Sequence, residues 1–206
     1  AETWYWPNAL PQEIGLDYWQ QALGLQQSAA IGAVSIVPAF FLSLFIAIIV
    51  VVISMVIAIP SGYALARYRI PFGAFILFLF LMPNAFPQQP IFVNLLRIFT
   101  RFDLAGTVSG VILVHILVGL VFGVWITSAT FRSIPPSMEE AARSVGASGP
   151  RAFFKITPPL AAPGLLASAV FVFITSLDEF TGTFFVGLPF VNTLPIGSFF
   201  RNRYND

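Results

Sequence analysis

Side chains able to do chemistry are sparse in this chain, and their spacing points to holding a solute rather than to making or breaking bonds. Asp178 and Glu179 are the only acidic residues inside a long apolar run. They lie about 15 residues past Pro163, or roughly 20 Å along a helix. An ionised carboxylate at that depth is costly unless it meets a cation, water or a donor. No Lys or Arg of the chain falls within an apolar run. Neighbouring helical positions point about 100° apart, so one of the two carboxylates at most faces a pore squarely. Asp178 is the candidate for the pore and Glu179 for a subunit contact. The alternative is that a partner subunit satisfies both in a purely architectural role.

A second polar set comes from Pro83-Asn84-Ala85-Phe86-Pro87-Gln88-Gln89-Pro90. Its three prolines cannot sit in a regular helix. Broken backbone at membrane depth must be buried in protein or line a wet cavity, which makes Asn84, Gln88 and Gln89 candidate solute contacts; the alternative is a helix that ends early. His115, the sole histidine, reads as a satisfied packing residue ahead of a ligand or proton relay. There is no cysteine, hence no thiolate or disulfide. No nucleophile–base pair or metal-ligand spacing appears, and no G-x-x-x-x-G-K-[ST] loop for nucleotide phosphates. The chain is not expected to be an enzyme or to bind metal, and nothing in it suggests nucleic acid.

The elements that must position these residues are membrane helices. Hydrophobic residues make up 57% of the chain and charged residues 9%, outside the range of soluble domains. No charge occurs between Ala29 and Ala66, and about 20 apolar residues suffice to cross the bilayer. The expected fold is all-α and polytopic, with spans near Pro38 to Ala66, Phe72 to Val93, Thr107 to Phe131 and Pro163 to Val186. Arg67, Arg69, Arg132, Arg143, Arg151 and Lys155 fall on one side, and Arg97, Arg101, Arg201 and Arg203 on the other. That bias puts the loop over about residues 132–162 in the cytoplasm. Residues 1–35 read as an external segment, with Trp4, Trp6 and Trp19 as an interfacial belt or an ordinary amphipathic stretch, and residues 36–206 as the membrane domain. The abrupt ends suggest one further span at each terminus. Gly119 and Gly123 form a G-x-x-x-G pair suited to close approach of a second membrane subunit.

The loop itself is ordered in its sequence. Pro135 and Pro136 stop the preceding helix, Ser137 can cap the next, and Glu140 stands three residues on as in a capping box. Ala141, Ala142 and Val145 make a small apolar face, and Gly146 sits where a left-handed C-terminal residue belongs. Pro150 suits a first helical position. Phe153, Phe154 and Ile156 supply a second apolar stripe that Pro158 and Pro159 are expected to end.

At Glu140-Ala141-Ala142, Gly146, Ile156 and Pro159 the chain resembles the EAA signature of membrane (permease) subunits of type I ABC importers, with Pro158 where the family usually has Leu. Tyr63-Ala64-Leu65-Ala66-Arg67-Tyr68 and Phe131-Arg132-Ser133-Ile134-Pro135 are also similar, so the resemblance covers roughly Ala39 to Ile196. It implies a bacterial inner-membrane protein of five or six spans in the intact subunit. It implies too that the loop docks on a cytoplasmic ABC ATPase dimer, which would bind ATP and Mg, this chain holding no cofactor of its own. A second permease subunit, an external solute-binding protein and membrane lipid are the other implied partners. Ser176-Leu177-Asp178-Glu179-Phe180 with Thr193-Leu194-Pro195 looks like polyamine permeases, whereas Phe122 to Ala142 is similar to carbohydrate permeases. The resulting expectation is import of a polyamine or similar small amine, with carbohydrate as the alternative. An ion-coupled secondary transporter or channel is the reading from a different class; no inverted repeats support it.

Overall fold

A computed structural model describes Gln20 and residues 36–204, apart from the side chains of Pro83 and residues 201–204. The expected external segment with Trp4, Trp6 and Trp19 lies outside the described residues. Three helices are long and apolar enough to cross a membrane: α1 (Ile36–Arg67), α4 (Val108–Ser133) and α6 (Gly149–Asp178). Shorter helices complete the described chain: α2 (Gly73–Leu81), α3 (Gln88–Arg101), α5 (Ser137–Ser144), α7 (Thr181–Val186) and α8 (Leu194–Tyr204).

Close approach of the long helices depends on small residues, since apolar burial gives helices little reason to associate in lipid. A Cβ on Gly62 of α1 would run into Thr127 Oγ1 and lie 2.8 Å from the Ser128 nitrogen of α4. Thr127 Oγ1 uses that proximity to donate to the Ala58 carbonyl at 3.0 Å. Ile46, Val50, Val111 and Val172 fill the core between α1, α4 and α6. The G-x-x-x-G pair belongs to this intrachain packing: a Cβ at Gly119 would meet Val172 at 3.0 Å, and one at Gly123 would meet Ala58 at 3.3 Å. The expectation that the pair faces a second subunit is therefore corrected. Its neighbours are valine and alanine of the same chain.

Two of the four expected spans differ in outline. The one expected over Phe72 to Val93 is broken into α2, a 3₁₀ turn at Met82–Ala85 and α3, because Pro83, Pro87 and Pro90 remove donors within eight positions. The one expected over Pro163 to Val186 starts earlier, at Gly149, and stops at Asp178. A break at Glu179 and Phe180 then separates it from α7. The third span starts where expected: Thr107 caps α4, its Oγ1 accepting from the Gly110 nitrogen at 3.0 Å.

Candidate functional site

The first of two candidate regions is the loop that joins α4 to α6. Helix α5 starts at Ser137 with Pro136 as its N-cap and no side-chain cap, so the expected capping box does not form. The fixed φ of proline near −65° presets the first turn instead. Its C-terminus does close as the sequence suggests. Gly146 has φ +92°, its N–H reaches the Arg143 carbonyl at 3.0 Å, and the Ala147 N–H reaches the Ala142 carbonyl at 3.1 Å. These two bonds are a Schellman motif. A Cβ on Gly146 would meet nothing within 4 Å, so backbone conformation alone demands glycine there.

The residue that fastens this loop is Glu139, which sequence reasoning passed over in favour of its neighbour Glu140. Glu139 is 9% exposed, whereas Glu140 is exposed. Its Oε2 accepts from the Tyr63 hydroxyl at 2.8 Å. Its Oε1 accepts from Thr157 Oγ1 at 2.8 Å and from Arg67 Nε at 3.2 Å. Arg67 Nη1 also donates to the Ile134 carbonyl at 2.9 Å. Burial pushes the Glu139 carboxyl up, but the hydrogen bonds from Tyr63 and Thr157 and the Arg67 charge outweigh it, holding the group below its ordinary value. One carboxylate thus ties α5 to the end of α1 and to α6. The available signal was the polar trio Tyr63, Arg67 and Thr157, each placed at the end of an apolar run.

The second arm of the loop is not a separate helix. It was expected to end at Pro158 and Pro159, yet α6 runs through both and through Pro163 to Asp178. Each proline forfeits one backbone bond, and neighbouring helices make such losses tolerable in membrane proteins. Phe153 faces inward, its ring 4.5 Å from that of Tyr63. The opposite side is bare: Val145 is 86% and Phe154 73% exposed, with Met138 and Ala141 also exposed. Of the other residues singled out in the signature, Gly146 and Pro159 are exposed, while Ala142 and Ile156 are half-buried.

The second region is a cavity of about 490 Å³ between the two helix breaks. Asn84 from the Met82–Ala85 turn and Gln88 from α3 line it together with Thr175 and Asp178 of α6 and Glu179. Phe122, Phe171 and Phe180 supply aromatic walls. Four of the five candidate solute contacts therefore converge; Gln89, adjacent to Gln88, is exposed and does not line the cavity. The two carboxylates differ as their spacing requires. Asp178 is exposed on the cavity. Glu179 is buried, with Oε1 accepting from the Gly182 nitrogen at 2.7 Å, so it is engaged within its own chain at the start of α7. Asp178 is the last residue of α6 and Glu179 its C-cap, so both stand at the far end of the helix.

His115 behaves as the packing reading supposes. It is 2% exposed, with Nδ1 2.9 Å from Ser176 Oγ and Nε2 2.8 Å from Thr183 Oγ1. Ser176 lies before the α6–α7 break and Thr183 after it, so the imidazole staples the two pieces. Among the described residues no cluster of His, Cys, Asp or Glu has metal-binding geometry.

Comparison with known proteins follows the same lines. A family model described as a binding-protein-dependent transport system inner membrane component matches residues 58–205. The trehalose transport system permease protein of Mycobacterium tuberculosis is 36% identical over 137 residues, covering 66% of this chain and 50% of that protein. The sulfoquinovosyl glycerol transport system permease protein of Agrobacterium fabrum is 30% identical over 158 residues, covering 76% and 55%. The diacetylchitobiose uptake system permease protein of Streptomyces coelicolor is 31% identical over 141 residues, covering 68% and 47%. The chain spans about half the length of these curated relatives.

Proposed function

Because this chain belongs to the family of binding-protein-dependent transport system inner membrane components, we propose that it is a permease subunit of an ATP-driven importer whose solute is a carbohydrate. The observation that carries the first half is the two-faced helix α5. Its inner face is locked by Glu139 onto two membrane-length helices, while its outer face leaves Val145, Met138 and Ala141 bare. A short apolar surface held at fixed orientation suits docking into a groove on another protein. The partner is a cytoplasmic ATPase dimer that binds ATP and Mg. A second permease subunit completes the pathway, and an external binding protein delivers the solute.

The solute class rests on the cavity and on the relatives. Asn84, Gln88, Thr175 and Asp178 offer donors and acceptors beside the Phe122, Phe171 and Phe180 rings, a mixture that matches a polyhydroxylated ring. The permeases named above serve trehalose, sulfoquinovosyl glycerol and diacetylchitobiose. The polyamine reading keeps one supporting feature, the exposed Asp178 carboxylate on the cavity.

The test is reconstitution of the chain in proteoliposomes with the ATPase and binding protein that copurify with it. ATP-dependent uptake of a disaccharide, in excess over a polyamine, is the expected result. Uptake without ATP, or purification without any ATPase, would sink the importer reading; polyamine uptake alone would sink the carbohydrate one.

A further inference from the structure

Exposed apolar faces on α2 and in the groove beside Pro87 carry no indication of what covers them, and His115 is fully engaged. The Glu139 joint goes furthest. We infer that Glu139 is the positioning residue through which movement of α5 reaches the membrane helices, Tyr63 and Arg67 receiving it on α1 and Thr157 on α6. The inference rests on the proposed docking of α5 on an ATPase.

The geometry supplies three reasons. First, Glu139 and Arg67 form the one ion pair among the described residues, with both side chains 11% exposed; hydrogen bonds to ionised groups that water scarcely reaches resist pulling more than neutral or solvated ones. Second, the bonds diverge: Oε2 leads to α1, and Oε1 leads to both α1 and α6. Displacing α5 therefore loads two long helices at once. Third, α6 carries Thr157 near one end and Thr175 and Asp178, which line the polar cavity, at the other. About 21 residues separate Thr157 from Asp178, or roughly 30 Å of helix. A pull on Thr157 is transmitted along one continuous element to the cavity wall.

The experiment uses the reconstituted complex with its ATPase and binding protein. Glu139→Gln keeps the shape but removes the negative charge opposite Arg67; with its oxygen kept on Arg67 and Thr157, its NH₂ replaces the acceptor of the Tyr63 hydroxyl. It is expected to retain the copurifying ATPase and its hydrolysis while solute taken up per ATP falls about tenfold, the scale of coupling changes along such networks. The chain has no native cysteine, so Glu139→Cys with Thr157→Cys provides a second arm. That variant is expected to be uncoupled as free thiols and to regain coupling once a short bis-methanethiosulfonate, each of whose sulfurs takes one cysteine thiolate and releases methanesulfinate, joins α5 to α6. Wild-type uptake per ATP in assembled Glu139→Gln overturns the inference. So does loss of assembly in Glu139→Gln combined with no recovery on cross-linking. Failure of the wild-type chain to hold any ATPase would instead refute the docking proposal beneath it.

Discussion

The Tyr63 hydroxyl donates to Glu139 Oε2 across 2.8 Å, a bond between residues 76 positions apart. It fixes which side of the eight-residue helix α5 faces the membrane helices, and so which side is left bare. A helix this short has little stability of its own, so its orientation is inherited from this anchor and from the Thr157 bond.

Replacing Glu139 by Ala strands the Arg67 guanidinium in a site 11% exposed. The expected loss is about 3 kcal/mol, as when one partner of a buried pair is removed. Thermal unfolding of the purified protein in detergent measures it; a melting temperature equal to wild type would show that the ion pair contributes nothing.

The same carboxyl should make the loop acid-labile. Its folded value lies below its unfolded one, so its stabilisation is complete above the unfolded carboxylate value and is lost as pH falls through the folded value. Lowering pH from about neutral to about 3 should therefore reduce the melting temperature of wild type more than that of Glu139→Gln, which has no proton to gain at that site. Parallel curves for the two proteins would contradict the assignment.

Gly146→Ala should cost about 1 kcal/mol, because an L-residue pays that much in the left-handed region. Space is open around the site, so Gly146→Asn, whose side chain tolerates positive φ, should recover most of it. Equal destabilisation by Ala and Asn would point to a steric cause instead. Gly146→Glu, carrying a charge onto the bare face, should let ATP hydrolysis continue while uptake fails.

Gly62→Val drives a branched side chain into Thr127 and the Ser128 backbone. Overpacking of this kind costs about 1–3 kcal/mol, and α1 must shift from α4. Gly73→Ala, whose nearest neighbour stands at 3.8 Å, is the control and should be neutral in the same melt.

Asp178→Asn separates the two solute classes. For a neutral sugar the amide still offers a donor and an acceptor, and uptake should stay within about threefold; for a cationic amine the loss of an ionic partner should exceed about tenfold. Uptake assays on the reconstituted complex with each solute decide between them.

The amino-acid sequence by itself determined features whose cause is local. The charge-free run from Ala29 to Ala66 dictates a spanning helix, Pro83 to Pro90 dictates a break, and Gly146 dictates a left-handed stop after a short helix. In each case the physics is settled within a few residues, by transfer of side chains to lipid, by a missing N–H or by an allowed φ. Tertiary structure alone decided the rest. Glu139 and Glu140 are chemically identical neighbours about 100° apart on a helix. Only the positions of Tyr63, Arg67 and Thr157 on other helices select the one that turns inward. Passage of α6 through Pro158 and Pro159, the intrachain partners of Gly119 and Gly123, and the meeting of Asn84 with Asp178 likewise depend on how long helices rotate and approach one another. No periodicity within a single segment records that rotation, because it is set by the surfaces the segment meets.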